Sequence, residues 1–342
     1  MTSADILSGM SPIAERELGL EQHVLDAVSQ TDEPFVIRGL ASQWKAVQKA
    51  KISNTDLTRY LRDCAADVPV HACMGPPANE GRVFYNDDLS SMNFEQVETR
   101  LLAVLDELEA CENDPYPPTI YMGSTETEYC LPGFAADNRL ELPDILPTVR
   151  IWLGNRHRVA AHYDVLENIA VVAGGRRRFI LFPPEQIANL YVGPIEFTPA
   201  GQPISMVDFE RPDFKRFPGF TEAVKHARTA VLEPGDAVYI PSMWWHHVEG
   251  LERLNILVNH WWLPVPVYLG APLDALMHAI LSIRELPAAQ RGAWRVFFDH
   301  YIFNPDEQLI EHIPEGRRGV LDPLDENAAR KIRMLLRNKL NK

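Results

Sequence analysis

The chain has 342 residues, of which 46% are hydrophobic and 23% charged, so it can bury a sizeable core as one large domain or two small ones. Its formal net charge of −14 argues against broad binding to nucleic-acid phosphates, and no apolar stretch approaches the roughly 20 residues of a membrane span. The four cysteines are scattered, and the N-terminus lacks a secretory signal pattern. We therefore expect a soluble, intracellular, cytoplasmic protein that does not contact a membrane and for which nucleic acid is a disfavoured partner.

Residues 1–117 show a mixed pattern of helix and strand. Apolar spacing predicts helices over 14–30 and 94–111, and the run EPFVIRGL at 33–40 predicts a short buried strand. No low-complexity linker separates this part from the next one. We therefore expect it to pack on the core that follows.

Residues 118–265 change character, because short apolar runs recur there between proline and glycine residues. Examples are TVRIWLG, NIAVVAGG, RRFILFPP and LNILVNHWWL. Such spacing without intervening helical patterns predicts an antiparallel barrel or sandwich. Residues 266–342 return to helical spacing, and Asp325 is the expected N-cap of a basic C-terminal helix. The fold class predicted is mainly β with flanking helices.

The stretch AAHYD, residues 160–164, places His162 and Asp164 two positions apart. On a strand, both side chains lie on one face and can chelate one ion. An imidazole and a carboxylate form two-thirds of the facial triad that holds non-haem Fe(II), although the pair alone is a weak signal. A second strand about 80 residues later carries His246 and His247. Adjacent side chains point to opposite faces, so only one of these two can face a barrel interior, and parity does not decide which.

The ordered run of these motifs resembles a known family. HYD, LFPP, PGDAVYIPSMWWH and VNHWW together are similar to the JmjC or cupin-like branch of Fe(II)- and 2-oxoglutarate-dependent oxygenases. Within that branch they resemble most the asparaginyl hydroxylase that inhibits the hypoxia-inducible factor. The resemblance covers residues 118–265 and implies a double-stranded β-helix, the jelly-roll or cupin barrel. It also implies three cofactors or co-substrates, namely Fe(II), 2-oxoglutarate and O2.

The resemblance assigns roles to particular residues. It implies that His162, Asp164 and His246 are the catalytic metal ligands. It implies that 2-oxoglutarate is contacted by Tyr121, Asn168, Arg177 and Asn259. Three residues are expected at the substrate rim: Gln202, Trp244 and Trp261.

The chain departs from the family pattern at several positions. Arg177 replaces the family's lysine, and arginine can still pair bidentately with a carboxylate. Val159 replaces a threonine, and Ile204 replaces the glutamine that engages the target amide. Asparagine hydroxylation is therefore not carried over as the specific reaction.

The expected activity is hydroxylation of a C–H bond by a 2-oxoglutarate-dependent dioxygenase. The expected substrate is a protein or peptide side chain, with a modified tRNA base or a small molecule as alternatives. A metal-binding cupin of another activity and a non-catalytic protein-binding module remain open as other classes. The apolar stripe of residues 273–281 in the C-terminal region, together with the family resemblance, suggests a homodimer.

Overall fold

The computed structural model describes residues 6, 8–18, 23–199, 201–305 and 308–340. Two compact units divide the chain, Met1–Leu263 and Pro264–Lys342. The first unit contains all the β-strands of the described residues, and the second is helical. The division of the first unit into an N-terminal part and a barrel at residue 118 stays a prediction, because strands from both parts share the same sheets.

The described residues form fifteen strands, which are numbered in chain order. They are β1 (Ser11–Pro12), β2 (Ala14–Glu15), β3 (Phe35–Ile37), β4 (Pro69–Gly75), β5 (Arg82–Val83), β6 (Glu95–Arg100), β7 (Thr119–Glu126), β8 (Thr148–Gly154), β9 (His157–His162), β10 (Glu167–Gly174), β11 (Arg177–Phe182), β12 (Arg228–Leu232), β13 (Ala237–Ile240), β14 (Trp245–Gly250) and β15 (Asn255–Trp262).

The α-helices of the described residues are also numbered in order. They are α1 (Val24–Val28), α2 (Lys45–Ile52), α3 (Asn54–Cys64), α4 (Leu101–Ala110), α5 (Thr127–Cys130), α6 (Phe134–Asp137), α7 (Phe220–His226), α8 (Pro272–Ser282), α9 (Ala288–Phe298), α10 (Gln308–Glu311) and α11 (Glu326–Leu340). Short 3-10 turns occupy Pro77–Asn79, Pro184–Ala188 and Gly319–Leu321, and a π-helical turn follows α9 at Asp299–Phe303.

The strands β8 to β15 form a jelly roll. In the six-stranded sheet the order is β1-β12-β11-β14-β9-β5, and in the nine-stranded sheet it is β2-β3-β13-β10-β15-β8-β7-β4-β6. The pairs among β8 to β15 are antiparallel, and the chain passes repeatedly between the two sheets. This arrangement is typical of the double-stranded β-helix. The predicted fold class, a mainly β jelly-roll core with flanking helices, is confirmed.

Strand β10 shows why the barrel strands have almost uninterrupted apolar runs in the sequence. Ile169 and Val171 point outward into a large core shared with α2, α3 and α4, whereas Ala170 and Val172 point into the barrel. Both faces of the strand are buried, so NIAVVAGG lacks the polar alternation of a half-exposed strand. Gly175 then turns the chain with a φ of +69°, and a Cβ there would lie 2.3 Å from the Leu254 carbonyl oxygen.

Two helix predictions in the N-terminal region are partly wrong. Within 94–111, the helix α4 forms only from Leu101, because Glu95–Arg100 pairs with β4 as a strand. Within 14–30, Ala14–Glu15 pairs with β3, and the helix begins at Val24. Residues 19–22 of that prediction lie outside the described residues. In both cases pairing with a neighbouring strand overrides local propensity.

The second unit consists of short helices that bury little apolar surface. In α8 and α9 no residue is buried, and Leu281 and Val296 are 75% and 65% exposed. The predicted N-cap of α11 is confirmed, because Asp325 Oδ1 accepts a hydrogen bond of 2.6 Å from the Ala328 N–H. No helix in the described ranges has the length and apolar character needed to cross a membrane.

Candidate metal centre

Three side chains predicted as metal ligands converge inside the barrel. His162, Asp164 and His246 each offer one donor atom, and these atoms lie within 4.8 Å of one another. The His246 Nε2 is 3.5 Å from Asp164 Oδ2, and the two imidazole rings are 4.2 Å apart between centroids. Two imidazoles and one carboxylate on one side of a point are the donor set of a facial triad. The residues present therefore fit a divalent metal ion such as Fe(II).

The triad is assembled by two adjacent strands. His162 ends β9, and His246 lies directly opposite it on β14 in the antiparallel register. Asp164 lies in the loop just after β9, and its carbonyl accepts a hydrogen bond of 2.8 Å from the Met243 N–H. The expectation that His162 and Asp164 lie on one strand is thus wrong in detail, because Asp164 lies beyond the end of β9. One pair of neighbouring strands brings all three together.

A β-bulge sets the direction of His162. The register of β9 against β14 shifts between His246 and Val248, so that Val159 and His162 both line the cavity despite their odd separation. A bulge inserts one extra residue, so that the side chains beyond it exchange the inner and outer faces of the strand. It thereby turns His162 inward, together with Val159.

Hydrogen bonds orient both imidazoles of the triad. The Nδ1 of His162 is 2.9 Å from the Ala160 carbonyl oxygen, and the Nδ1 of His246 is 3.0 Å from that of Trp244. A carbonyl only accepts, so each Nδ1 carries a proton, and Nε2 is the ring nitrogen that each histidine directs at the metal position. Burial, helped by His246, lowers the pKa of His162 to about 4, which keeps the ring neutral as a ligand must be.

The carboxylate of the triad is ionised. Burial opposes ionisation of Asp164, but hydrogen bonding and charge interaction with His246 outweigh it and lower the pKa of Asp164. The site therefore offers a negative carboxylate oxygen beside the neutral His162 nitrogen at neutral pH.

His247 faces away from the triad. Its ring stacks on Phe209 at 4.5 Å between centroids, and its Nε2 lies 3.2 Å from Glu249 Oε1. These contacts belong to the outer layer of the six-stranded sheet, where Phe209 packs beside α7. The ambiguity that parity leaves between His246 and His247 is resolved in favour of His246 as the inward residue.

The triad opens into a cavity of about 450 Å³ that also contains Arg177. Arg177 is 1% exposed, and its Nε and Nη2 find no hydrogen-bond partner among the described residues. Burial lowers the pKa of Arg177 to about 10, so the guanidinium stays charged at neutral pH. A buried charge without a counter-charge is costly unless a ligand supplies one. The pocket is therefore suited to an anion.

The other residues predicted to contact the co-substrate line the same cavity. Tyr121 lies there with its phenol pKa raised by burial, so its hydroxyl keeps a proton to donate. Asn168 and Asn259 project inward from β10 and β15, and within the described part of the chain their Oδ1 atoms have no hydrogen-bond partner. Trp261 completes this wall and packs edge-on against Trp152.

Two of the three predicted rim residues lie elsewhere. Trp244 faces a separate surface cavity of about 740 Å³, because its indole N–H donates to the Asp32 carbonyl at 3.1 Å. The structure therefore does not bring Trp244 to the cavity that holds the triad. Gln202 is half-buried and does not line the cavity, although its neighbour Gly201 does.

Sequence patterns did not reveal several cavity residues. His71, Gln96 and Ser124 reach the mouth from β4, β6 and β7, which follow β8 in the nine-stranded sheet in the order β7, β4, β6. No local motif signals such long-range pairing. His157 is a further buried residue next to Tyr121, with ring centroids 4.5 Å apart, and it was also missed.

Comparison with known proteins identifies the family. The model of the family described as "Cupin-like domain" matches residues 21–267, and the chain belongs to this family. The predicted resemblance to JmjC and cupin-like oxygenases is confirmed. At the level of the family, this membership and the triad support an oxygenase of the Fe(II) and 2-oxoglutarate type.

Curated relatives share part of the chain. Lysine-specific demethylase JMJ31 of Arabidopsis thaliana is 27% identical over 262 residues, which cover 69% of this chain and 47% of that protein. HSPB1-associated protein 1 of Homo sapiens is 34% identical over 32% of this chain and 22% of its own length. The tRNA wybutosine-synthesizing protein 5 of Gallus gallus is 32% identical over 38% of this chain and 42% of its own length. The chain thus spans less than half the length of each relative.

The two neighbouring histidines provide a matched test of the metal site. We expect His246→Ala to weaken Mn²⁺ or Fe(II) binding at least tenfold, because it removes one of three protein ligands. His247→Ala should leave metal affinity within about twofold, although it loses the Phe209 and Glu249 contacts. Isothermal titration of the metal-free proteins measures both. Loss of metal binding in His247→Ala alone would contradict the assignment.

Proposed function

We propose that this protein is an Fe(II)- and 2-oxoglutarate-dependent dioxygenase that hydroxylates a C–H bond of a protein side chain. The observation that carries the proposal is the buried, unneutralised Arg177 guanidinium in the cavity that holds the His162, Asp164 and His246 triad. A metal position and an anion position in one enclosed pocket suit a ligand with a chelating end and a distal carboxylate. 2-Oxoglutarate has both.

Each pocket residue has a task in this reaction. The triad would hold Fe(II), which supplies the chemistry that activates O2. The Arg177 guanidinium pairs with the distal carboxylate and the Tyr121 O–H donates a hydrogen bond to it, so that the two residues bind and orient this end of the ligand. Asn168 and Asn259 offer amide groups beside the metal position. In the overall balance, one oxygen atom enters succinate as CO2 leaves, and the other enters the new hydroxyl group.

The enclosed walls also exclude water. Phe179, Ile240 and Leu257 line the inner side of the cavity and are at most 4% exposed. A dry, apolar surround strengthens the interaction between Arg177 and a carboxylate. It also protects a reactive centre from unproductive hydrolysis.

The charges at the cavity favour a protein substrate over tRNA. Arg177 is the one lysine or arginine among the described residues that line the cavity, and it lies deep inside. The mouth residues His71, Gln96 and Ser124 carry no fixed positive charge to hold a phosphate. The net charge of −14 also disfavours nucleic acid. The likeness to the tRNA wybutosine-synthesizing protein 5 keeps a tRNA base as the second candidate substrate.

We also propose that the second unit mediates a homodimer. The exposed apolar residues on α8 and α9 include Leu276, Leu281, Val296 and Phe297. A surface of this kind fits contact with a second copy better than exposure to water.

Co-substrate binding should depend on Arg177 and not on its neighbour. We expect Arg177→Met to weaken 2-oxoglutarate binding and raise its KM at least about tenfold, since a buried charge-assisted pair is lost. Arg176→Met is the matched control, because Arg176 pairs with Glu252 at the surface. Titration of the Mn²⁺-loaded protein and succinate release with Fe(II) are the measurements. An unchanged affinity of Arg177→Met for 2-oxoglutarate, or no succinate release by wild type, would contradict the proposal.

The substrate class should be visible in the products. We expect wild type incubated with Fe(II), 2-oxoglutarate and a cell extract to add about 16 Da to a peptide, and Asp164→Ala to add nothing. The tRNA fraction of the same reactions is digested to nucleosides to test the alternative substrate. Mass spectrometry measures the added mass in the peptides and in the nucleosides. An added oxygen in tRNA but in no peptide would reject the protein-substrate proposal in favour of the second candidate.

A further inference from the structure

His157 is a buried histidine of the cavity region with no role in the proposed metal site. It is 0% exposed, and its Nε2 has no hydrogen-bond partner in the described part of the chain. Its Nδ1 lies 2.6 Å from the Asn155 carbonyl oxygen, which also accepts a hydrogen bond of 3.1 Å from Asn255 Nδ2. Because that carbonyl can only accept, Nδ1 carries the proton. The buried Nε2 is therefore an acceptor.

The sheet places this acceptor next to Arg177. Gly250 on β14 is the register partner of Arg177 on β11 and of His157 on β9. Residues paired across neighbouring strands share one face of the sheet, so Arg177 and His157 flank Gly250 on the inner side. A Cβ on Gly250 would lie 2.7 Å from His157 Cε1. The imidazole thus lies over the glycine, between β9 and Arg177.

Donors and acceptor in this cluster are complementary. The Nε and Nη2 of Arg177 are buried donors, His157 Nε2 is a buried acceptor, and none of the three has a partner among the described residues. Burial and the charge of Arg177 lower the pKa of His157 to about 3, so the ring stays neutral beside the guanidinium. The ring also packs against Tyr121. His157 therefore contacts Tyr121 and lies beside Arg177 across Gly250, and no hydrogen bond joins the two side chains in this structure.

We propose that His157 is a positioning residue: when a distal carboxylate is bound, Arg177 donates one of its unpaired N–H groups to His157 Nε2, and this hydrogen bond holds the guanidinium toward the carboxylate. This inference rests on the proposed function, since it concerns the same pocket. Arginine has a longer side chain and a wider head than the lysine of the resembling family. The imidazole over Gly250 fixes the position of that larger group.

The test compares two 2-oxo acids of equal chain length. 2-Oxoglutarate carries a distal carboxylate, and 2-oxovalerate ends in a methyl group. In the full-length protein loaded with Mn²⁺, we expect His157→Phe to weaken 2-oxoglutarate binding about tenfold, because phenylalanine keeps the ring but loses the acceptor. Binding of 2-oxovalerate should change less than twofold. His157→Gln, which retains an acceptor, should recover most of the affinity.

His260→Phe is the matched control, because His260 is another buried histidine with an Nδ1 that lacks a hydrogen-bond partner within the described ranges. His260 packs against Trp44 on the outer face of the sheet, so its replacement should leave the ratio of the two affinities unchanged. Equal loss of both ligands in His157→Phe would indicate a scaffold role and overturn the inference. An unchanged affinity for 2-oxoglutarate would do the same.

A measurement on wild type is independent of how the variants fold. Nitrogen-15 NMR of histidine-labelled protein should show His157 as the neutral Nδ1–H tautomer. An Nε2–H tautomer or a charged ring would contradict the inference, since Nε2 could then not accept. Failure of wild type to bind 2-oxoglutarate at all would instead reject the proposed function and this inference with it.

Discussion

The burial of one positive charge is the constraint on which this site depends. Arg177 is 1% exposed within the cavity that holds the triad, and no carboxylate of the described residues forms an ion pair with it. Unpaired buried charges destabilise a fold by several kcal/mol, so such an arrangement is retained where a ligand compensates it. The guanidinium, the phenol of Tyr121 and the metal position together define the length and charge of the ligand that fits.

The barrel supplies the precision that this site needs. Neighbouring strands β9 and β14 hold two histidines opposite each other, and hydrogen bonds from Nδ1 to backbone carbonyls fix both rings. Rigid strands position ligands better than loops do, because each side chain is held by pairing on both sides. Only Asp164 comes from a loop, and the Met243 N–H ties that loop to the start of β14. The groups that hold the three ligand residues in place are therefore mostly backbone N–H and C=O groups.

Much of this fold is predictable from the sequence, and the exceptions have physical causes. Strands such as β10 and β15 are buried on both faces, so their apolar runs stand out. The helix predicted over 94–111 includes Glu95–Arg100, and the pairing of that segment with β4 makes it a strand. The bulge in β9 has no sequence signal. If side chains alternated strictly along β9, His157 and His162 would lie on opposite faces of the strand. The sequence therefore does not predict that both lie on the inner face.

A crystal structure of the protein with Mn²⁺ and 2-oxoglutarate tests the site most directly. The metal should bind His162, Asp164 and His246, with the keto acid chelating it and the distal carboxylate against Arg177 and Tyr121. Metal bound by other residues, or a carboxylate directed away from Arg177, would contradict the proposed site.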